Sequence, residues 1–170
     1  MPTDDKARPT SLEPEDPLRA AVDRAAAGDV DESLTFDLHV AGGMPAQAYR
    51  LEHRIGGDLR ARTSLVDERA GRRHEARGTD VGRDDVAEVA RRILASGLLD
   101  APADPPTFLP DTVVGVIEIS DGERTYRAYF AADPDQASVQ EVPPRPAVLE
   151  AANALYASAA GLIGEDTVGP

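Results

Sequence analysis

Residues 113–130, VVGVIEISDGERTYRAYF, decide the fold. Two runs rich in β-branched and aromatic residues flank Asp121-Gly122. An Asp-Gly pair in that setting predicts an antiparallel hairpin closed by a two-residue type I′ turn, which needs positive φ at both central positions. Val113, Gly115, Ile117 and Ile119 fall on one side of the first strand, and Tyr126, Ala128 and Phe130 on one side of the second. Together they make a half-buried sheet surface. The other face mixes Glu118, Ser120, Thr125 and Arg127 with Val114, Val116 and Tyr129.

Upstream, the period is again two. Leu34, Phe36, Leu38 and Val40 alternate with Thr35, Asp37 and His39 until Ala41-Gly42-Gly43 stops the run. Tyr49, Leu51, His53 and Ile55 describe a second strand, and Leu59, Ala61, Thr63 and Leu65 a third beyond the turn Gly56-Gly57-Asp58. Strict alternation predicts strands with one buried face, and short Gly-containing turns join them into a meander. Residues 67–80 (DERAGRRHEARGTD) lack an apolar period and read as a charged loop, with a short strand around 72–77 as the other option.

Three stretches have the helical period instead. Asp16 is placed to cap a short helix with Pro17 at its first position and Leu18, Ala21, Val22 and Ala25 on one stripe. A second helix starts at Asp84 or Asp85, carries Val86, Val89, Ala90, Ile93 and Leu94 on one side, and ends at Gly97. After Pro146, Val148, Leu149, Ala152, Leu155, Tyr156 and Ala159 recur at three and four, with Gly161 or Gly164 as the stop. Residues 101–110, with four prolines, form a connector. The expected architecture is α+β: a mainly antiparallel five-stranded sheet, built as three-strand meander, helix, hairpin, helix. Two helices pack on one face, and the short N-terminal helix is added to them. The expected organisation is a disordered tail over 1–15, a single domain over 16–163 and a C-terminal tail over 164–170.

Composition narrows the function. Net charge is −13 and Lys6 is the only lysine, so the surface repels phosphate backbones and anionic lipid. Nucleic-acid and membrane-surface roles are therefore not expected, and no run approaches the roughly 18 apolar residues of a spanning helix. Residues 1–10 lack a signal-peptide pattern, and the absence of cysteine suits a reducing compartment, so a cytoplasmic protein is expected. Without cysteine there is also no thiolate nucleophile and no Cys-based zinc site. The three histidines fall on different surfaces: His39 on the polar face of the first strand, His53 on the apolar face of the second, His74 in the charged loop. No metal site, no cofactor and no enzyme activity is expected.

Two stretches remain as candidates for contact with a partner. Arg69, Arg72, Arg73 and Arg77 form a basic island in an acidic chain, suited to a carboxylate or an acidic surface if they converge, and otherwise a mixed-charge loop. Gly42, Gly43, Met44, Pro45 and Ala46 are a hairpin connection in the plain reading. In the functional reading they form a slim apolar loop that enters a partner's cleft.

The strand followed by Gly42-Gly43, the next two strands, the helix ending in Leu98-Leu99, Pro110-Asp111 in the Pro-rich link and the hairpin through Asp121-Gly122 together resemble emfourins over about residues 34–160. These are small prokaryotic proteins associated with inhibition of thermolysin-like metallopeptidases. The sequence adds an N-terminal helix, the basic stretch and a longer link before the last helix, and has Ala41 before Gly42 and no aromatic near Val114. The resemblance implies a protein partner, a metallopeptidase, gripped by the loop from Gly42 to Ala46. The other readings are a small-ligand module using the sheet face opposite the helices, and a structural subunit of a larger assembly.

Overall fold

The computed structural model describes residues 12–42, 48–101, 113–132, 146–165 and 168. Strands β1 (Thr35–Gly42), β2 (Tyr49–Gly56), β3 (Arg60–Asp67), β4 (Arg72–Asp80), β5 (Val114–Ser120) and β6 (Thr125–Ala131) form one sheet. Every pairing is antiparallel, in the order β4-β3-β2-β1-β5-β6. Among the described residues the helices are α1 (Pro17–Ala26), α2 (Arg83–Ser96) and α3 (Pro146–Ile163), with a 3₁₀ turn at Leu98–Asp100.

The α+β class and the antiparallel sheet are as the sequence implies, but the sheet has six strands where five are expected. The sixth is β4, inside the stretch that reads as a charged loop. Asp67 pairs with Arg72 across the β3–β4 turn, and the pairing continues to Arg60 opposite Asp80, with a bulge between Ala61 and Thr63. An edge strand needs only backbone pairing along one side, so it can dispense with the apolar alternation that a central strand requires. The carboxylate of Asp67 organises the turn: Oδ1 accepts from the Ala70 N–H at 3.1 Å, and Oδ2 accepts from Arg72 Nη2 at 2.7 Å. A charged edge also discourages pairing with a second sheet.

The β5–β6 hairpin forms, with a longer loop than the two residues expected. Ser120 pairs with Thr125, so residues 121–124 make the connection. Asp121 Oδ1 accepts from the N–H groups of Glu123 (3.0 Å) and Arg124 (2.7 Å), which favours the wider turn. The slip is two residues, so Tyr126, Ala128 and Phe130 keep the inward side.

One sheet face is apolar and the other is mixed. Phe36, Leu38, Leu51, Leu65, Ile117, Ile119 and Ala128 point to the helices and are essentially buried. Helix α3 touches β1, β3, β4 and β6 and also packs against α2, which in turn packs against α1. Its sequence explains this position: Val148 and Leu155 are buried, and so are the small residues Ala151, Ala152, Ala154, Ala159 and Ala160. A helix gripped from two sides needs a broad apolar surface. With a mean hydropathy of 1.2 over 18 residues, α3 is long and apolar enough to cross a bilayer, contrary to the expectation that no segment would be. Here that apolarity serves the core.

Helix α1 is capped by Asp16, whose Oδ1 accepts from the Leu18 N–H at 2.8 Å, and it buries Leu18, Ala21, Val22 and Ala25. Helix α2 ends at Gly97 with φ 77, as a C-cap glycine should. Its N-cap is Gly82, whose N–H donates to Asp85 Oδ2 at 2.7 Å.

Two glycines are required by close approach. A Cβ on Gly115 would lie 2.1 Å from the ring of Phe130, its cross-strand partner. One on Gly57 would lie 1.7 Å from the backbone carbonyl oxygen of Asp31. Gly115→Ala is expected to cost about 1–3 kcal/mol in urea unfolding as Phe130 shifts, and Gly57→Ala more, because backbone must move. An unchanged midpoint for both would contradict this packing.

Candidate functional site

Three surfaces hold the residues capable of chemistry or recognition: the inner face of β2 and β3, the open sheet face, and the β3–β4 turn. On the inner face, His53 is 1% exposed. Its Nδ1 lies 2.8 Å from Thr63 Oγ1 on the neighbouring strand, and its Nε2 lies 3.0 Å from Ser158 Oγ on α3. A neutral imidazole has one donor and one acceptor, and a hydroxyl can serve as either, so both nitrogens are satisfied without charge. Burial holds the pKa down to about 4, and a hydrogen bond to the Arg62 backbone opposes that only in part.

The Ser158–His53 distance is that of a nucleophile and its base. The setting does not suit catalysis. An imidazole titrating near 4 is a weak base at neutral pH, and a hydroxyl stands where a carboxylate would stabilise the imidazolium. Ser158 also sits within α3, where helical hydrogen bonds occupy the backbone N–H groups that an oxyanion would need. What the chain Thr63–His53–Ser158 does is fasten α3 to the sheet. Sequence patterning singles out His53 but not Ser158; the available signal is a lone serine in an alanine-rich stripe, which at a half-buried position finds a partner.

At the other end of the inner face, the Tyr49 hydroxyl donates to the carbonyl of Val168. Phe130 and Tyr156 meet edge to face, with centroids 6.5 Å apart. The Tyr156 hydroxyl is buried with no hydrogen-bond partner among the described residues, and burial raises the pKa values of both Tyr49 and Tyr156.

On the open face, strand register lays out two cross-sheet rows. The first runs Arg62, Arg54, Asp37, Glu118, Arg127. Arg54 Nε bonds Asp37 Oδ1 at 2.6 Å and Arg127 Nε bonds Glu118 Oε2 at 2.6 Å, so each arginine neutralises one of two adjacent carboxylates. Asp37 is 1% exposed, and among the described residues its Oδ2 has no hydrogen-bond partner. The second row, nearer the β1–β2 connection, sets Glu52 and exposed His39 beside Val116 and Tyr129. Beyond it lie Ala41 and Val114. The half formed by β5 and β6 is thus apolar toward that end, whereas β2 contributes Arg50 and Glu52.

The basic island is not one cluster. Arg72 faces inward and pairs with Asp67, whereas Arg73 and Arg77 lie on the outer face and pair with Glu68 and Glu75. Arg69 lies in the intervening turn. Burial would raise the Asp67 pKa, but its hydrogen bonds from Arg72 and Ala70 hold it below the usual carboxylate range. His74 Nε2 meets Glu165 Oε1 at 2.6 Å. Of the candidate loop, Gly42 ends β1 opposite Tyr49, and Gly43, Met44, Pro45 and Ala46 lie outside the described residues. Among the described residues no group of three or more His, Asp or Glu side chains is placed to hold a metal ion.

No protein-family model matches this chain, and no curated protein matches it significantly.

Because the His53 pKa falls on folding, from an ordinary 6.5 to about 4, the unfolded chain binds the extra proton between those values. Stability therefore rises with pH across that window and is lost as pH falls from 6.5 toward 4. Moving from pH 7 to pH 5 should cost roughly 2 kcal/mol through this residue. Asp67 adds a loss in the same direction, at pH below the ordinary carboxylate value of 3.8. Urea unfolding of the parent and His53→Gln at pH 7 and pH 5 checks this: the variant should be less stable at pH 7 but lose less between the two. Equal losses would contradict the buried neutral histidine.

Proposed function

We propose that this chain is a non-catalytic protein-interaction module that meets its partner with the β1–β2 connection and the adjoining part of the open sheet face. The supporting observation is a juxtaposition. β1 lies within the sheet, between β2 and β5, so its connection to β2 leaves from the middle of one sheet end. Val114, Val116 and Tyr129, all partly exposed, lie on the open face toward that same end. Apolar side chains at the sheet end where the chain leaves β1 make the centre of a contact, and the charged residues of β2 and β3 make its polar rim.

The resemblance to emfourins makes a thermolysin-like metallopeptidase the partner class to test. Titrating such a peptidase with the chain is expected to inhibit it stoichiometrically. Gly43→Arg combined with Met44→Asp is expected to weaken inhibition at least tenfold, and Val116→Arg to weaken it less, with thermal unfolding unchanged. Full inhibition by the double variant would move the contact off the loop. Neither inhibition nor binding across several such peptidases would remove them as partners.

A further inference from the structure

Opposite the proposed contact face, on the helix side, lies a cleft that neither the fold nor the proposed function uses. Its volume is about 510 Å³, within the common range for small-molecule sites. Ile55 and Ala61 of the sheet, Val89 of α2, and Ala154 and Leu162 of α3 give it an apolar lining. The space exists because α3 presents small residues there. Ala157 and Gly161 line it, and a Cβ added at Gly161 would meet nothing within 4 Å.

The polar groups of this cleft are unequal in sign. Asp80, Asp85 and Glu88 line it against Arg92 alone. Each carboxylate has one interaction already: Asp85 Oδ2 with the Gly82 N–H, Glu88 Oε2 with Arg91, and Asp80 Oδ1 with Arg60 at 3.3 Å. A carboxylate has about four acceptor positions, so each keeps capacity for a further donor. Deeper in, Ser158 lines the cleft with its oxygen 3.0 Å from His53 Nε2. With its proton given to that nitrogen, the hydroxyl retains lone pairs for a donor in the cleft.

The geometry points to a binding site for a small organic cation, an ammonium group on an alkyl or aryl body. The body fills the space left by Ala154, Ala157 and Gly161, and the ammonium meets Asp85 and Glu88. Anions of the same shape are disfavoured by these carboxylates and by the net charge of −13.

The test is a titration of the full chain, followed by ¹H–¹⁵N correlation spectra, with 2-phenylethylamine and separately with 3-phenylpropionate. The amine is expected to give saturable shifts at Val81, Glu88, Val89, Ser158 and Gly161, weakening with added salt, and the carboxylate to give none there. Glu88→Lys should raise the amine's dissociation constant at least tenfold. Gly161→Leu, which fills the cleft from a position with room for a side chain, should abolish binding while the rest of the spectrum keeps its dispersion. No saturable shift at these residues, equal binding of the carboxylate, or undiminished binding by Gly161→Leu would each overturn the site.

Discussion

The structure depends on one act of burial: α3 laid across the inner face of the sheet. A sheet with one apolar face is not stable by itself, and a short helix could cover only part of six strands. Helix α3 reaches from β4 to β6, touching β1 and β3 as well, and it also packs against α2. Every other element is then placed. The helix pair α2 and α1 closes the layer, Tyr126 ties β6 to the carbonyls of Leu98 and Ala101, and Leu12 bonds the Leu99 carbonyl at the other side of the same turn. Two aromatic contacts mark how tightly the core is packed: Phe130 over Gly115 within the sheet, and Tyr156 of α3 edge-on to Phe130.

Within this apolar layer the polar groups are few and, among the described residues, matched except for the Tyr156 hydroxyl. His53 is held between Thr63 and Ser158, so the interface contains a hydrogen-bonded chain linking sheet to helix where an isolated polar side chain would be costly. That arrangement favours alignment of α3 over reactivity, because the environment that buries the imidazole also removes its basicity. The two surfaces proposed for recognition are the open sheet face, with its ion-paired row and apolar corner, and the acidic cleft between α2 and α3. The two lie on opposite sides of the sheet, so occupation of one leaves the other accessible.

How much of this was legible follows from where burial dictates sequence. The inward residues of β1, β2, β3, β5 and β6 and the stripes of the helices could be read directly, since alternation and the three-to-four spacing are consequences of having one buried side. β4 was legible only as the second option, a short strand around 72–77, because an edge strand held by Asp67, Arg72 and backbone pairing has little to bury. The loop length at Asp121 was misjudged because the dipeptide rule ignores the side chain, and it is the Asp121 carboxylate that captures two later N–H groups. The Ser158–His53 bond spans 105 positions, and the cleft is made by absent side chains. Neither leaves a local pattern. Whether the arginines of the basic stretch converge stays open in the sequence, because neighbours along a strand point to opposite faces and composition does not reveal that.

A sheet roofed on one side only is the claim on which both proposed surfaces rest. The chain has no cysteine, so single thiols report accessibility without interference. His39 and Leu38 are adjacent on β1, the first exposed and the second fully buried. Alkylation of His39→Cys should proceed at nearly the rate of an unfolded control, and that of Leu38→Cys should be slowed to the rate at which the protein opens. Comparable protection of both thiols would show that the second face is covered too and would contradict this account.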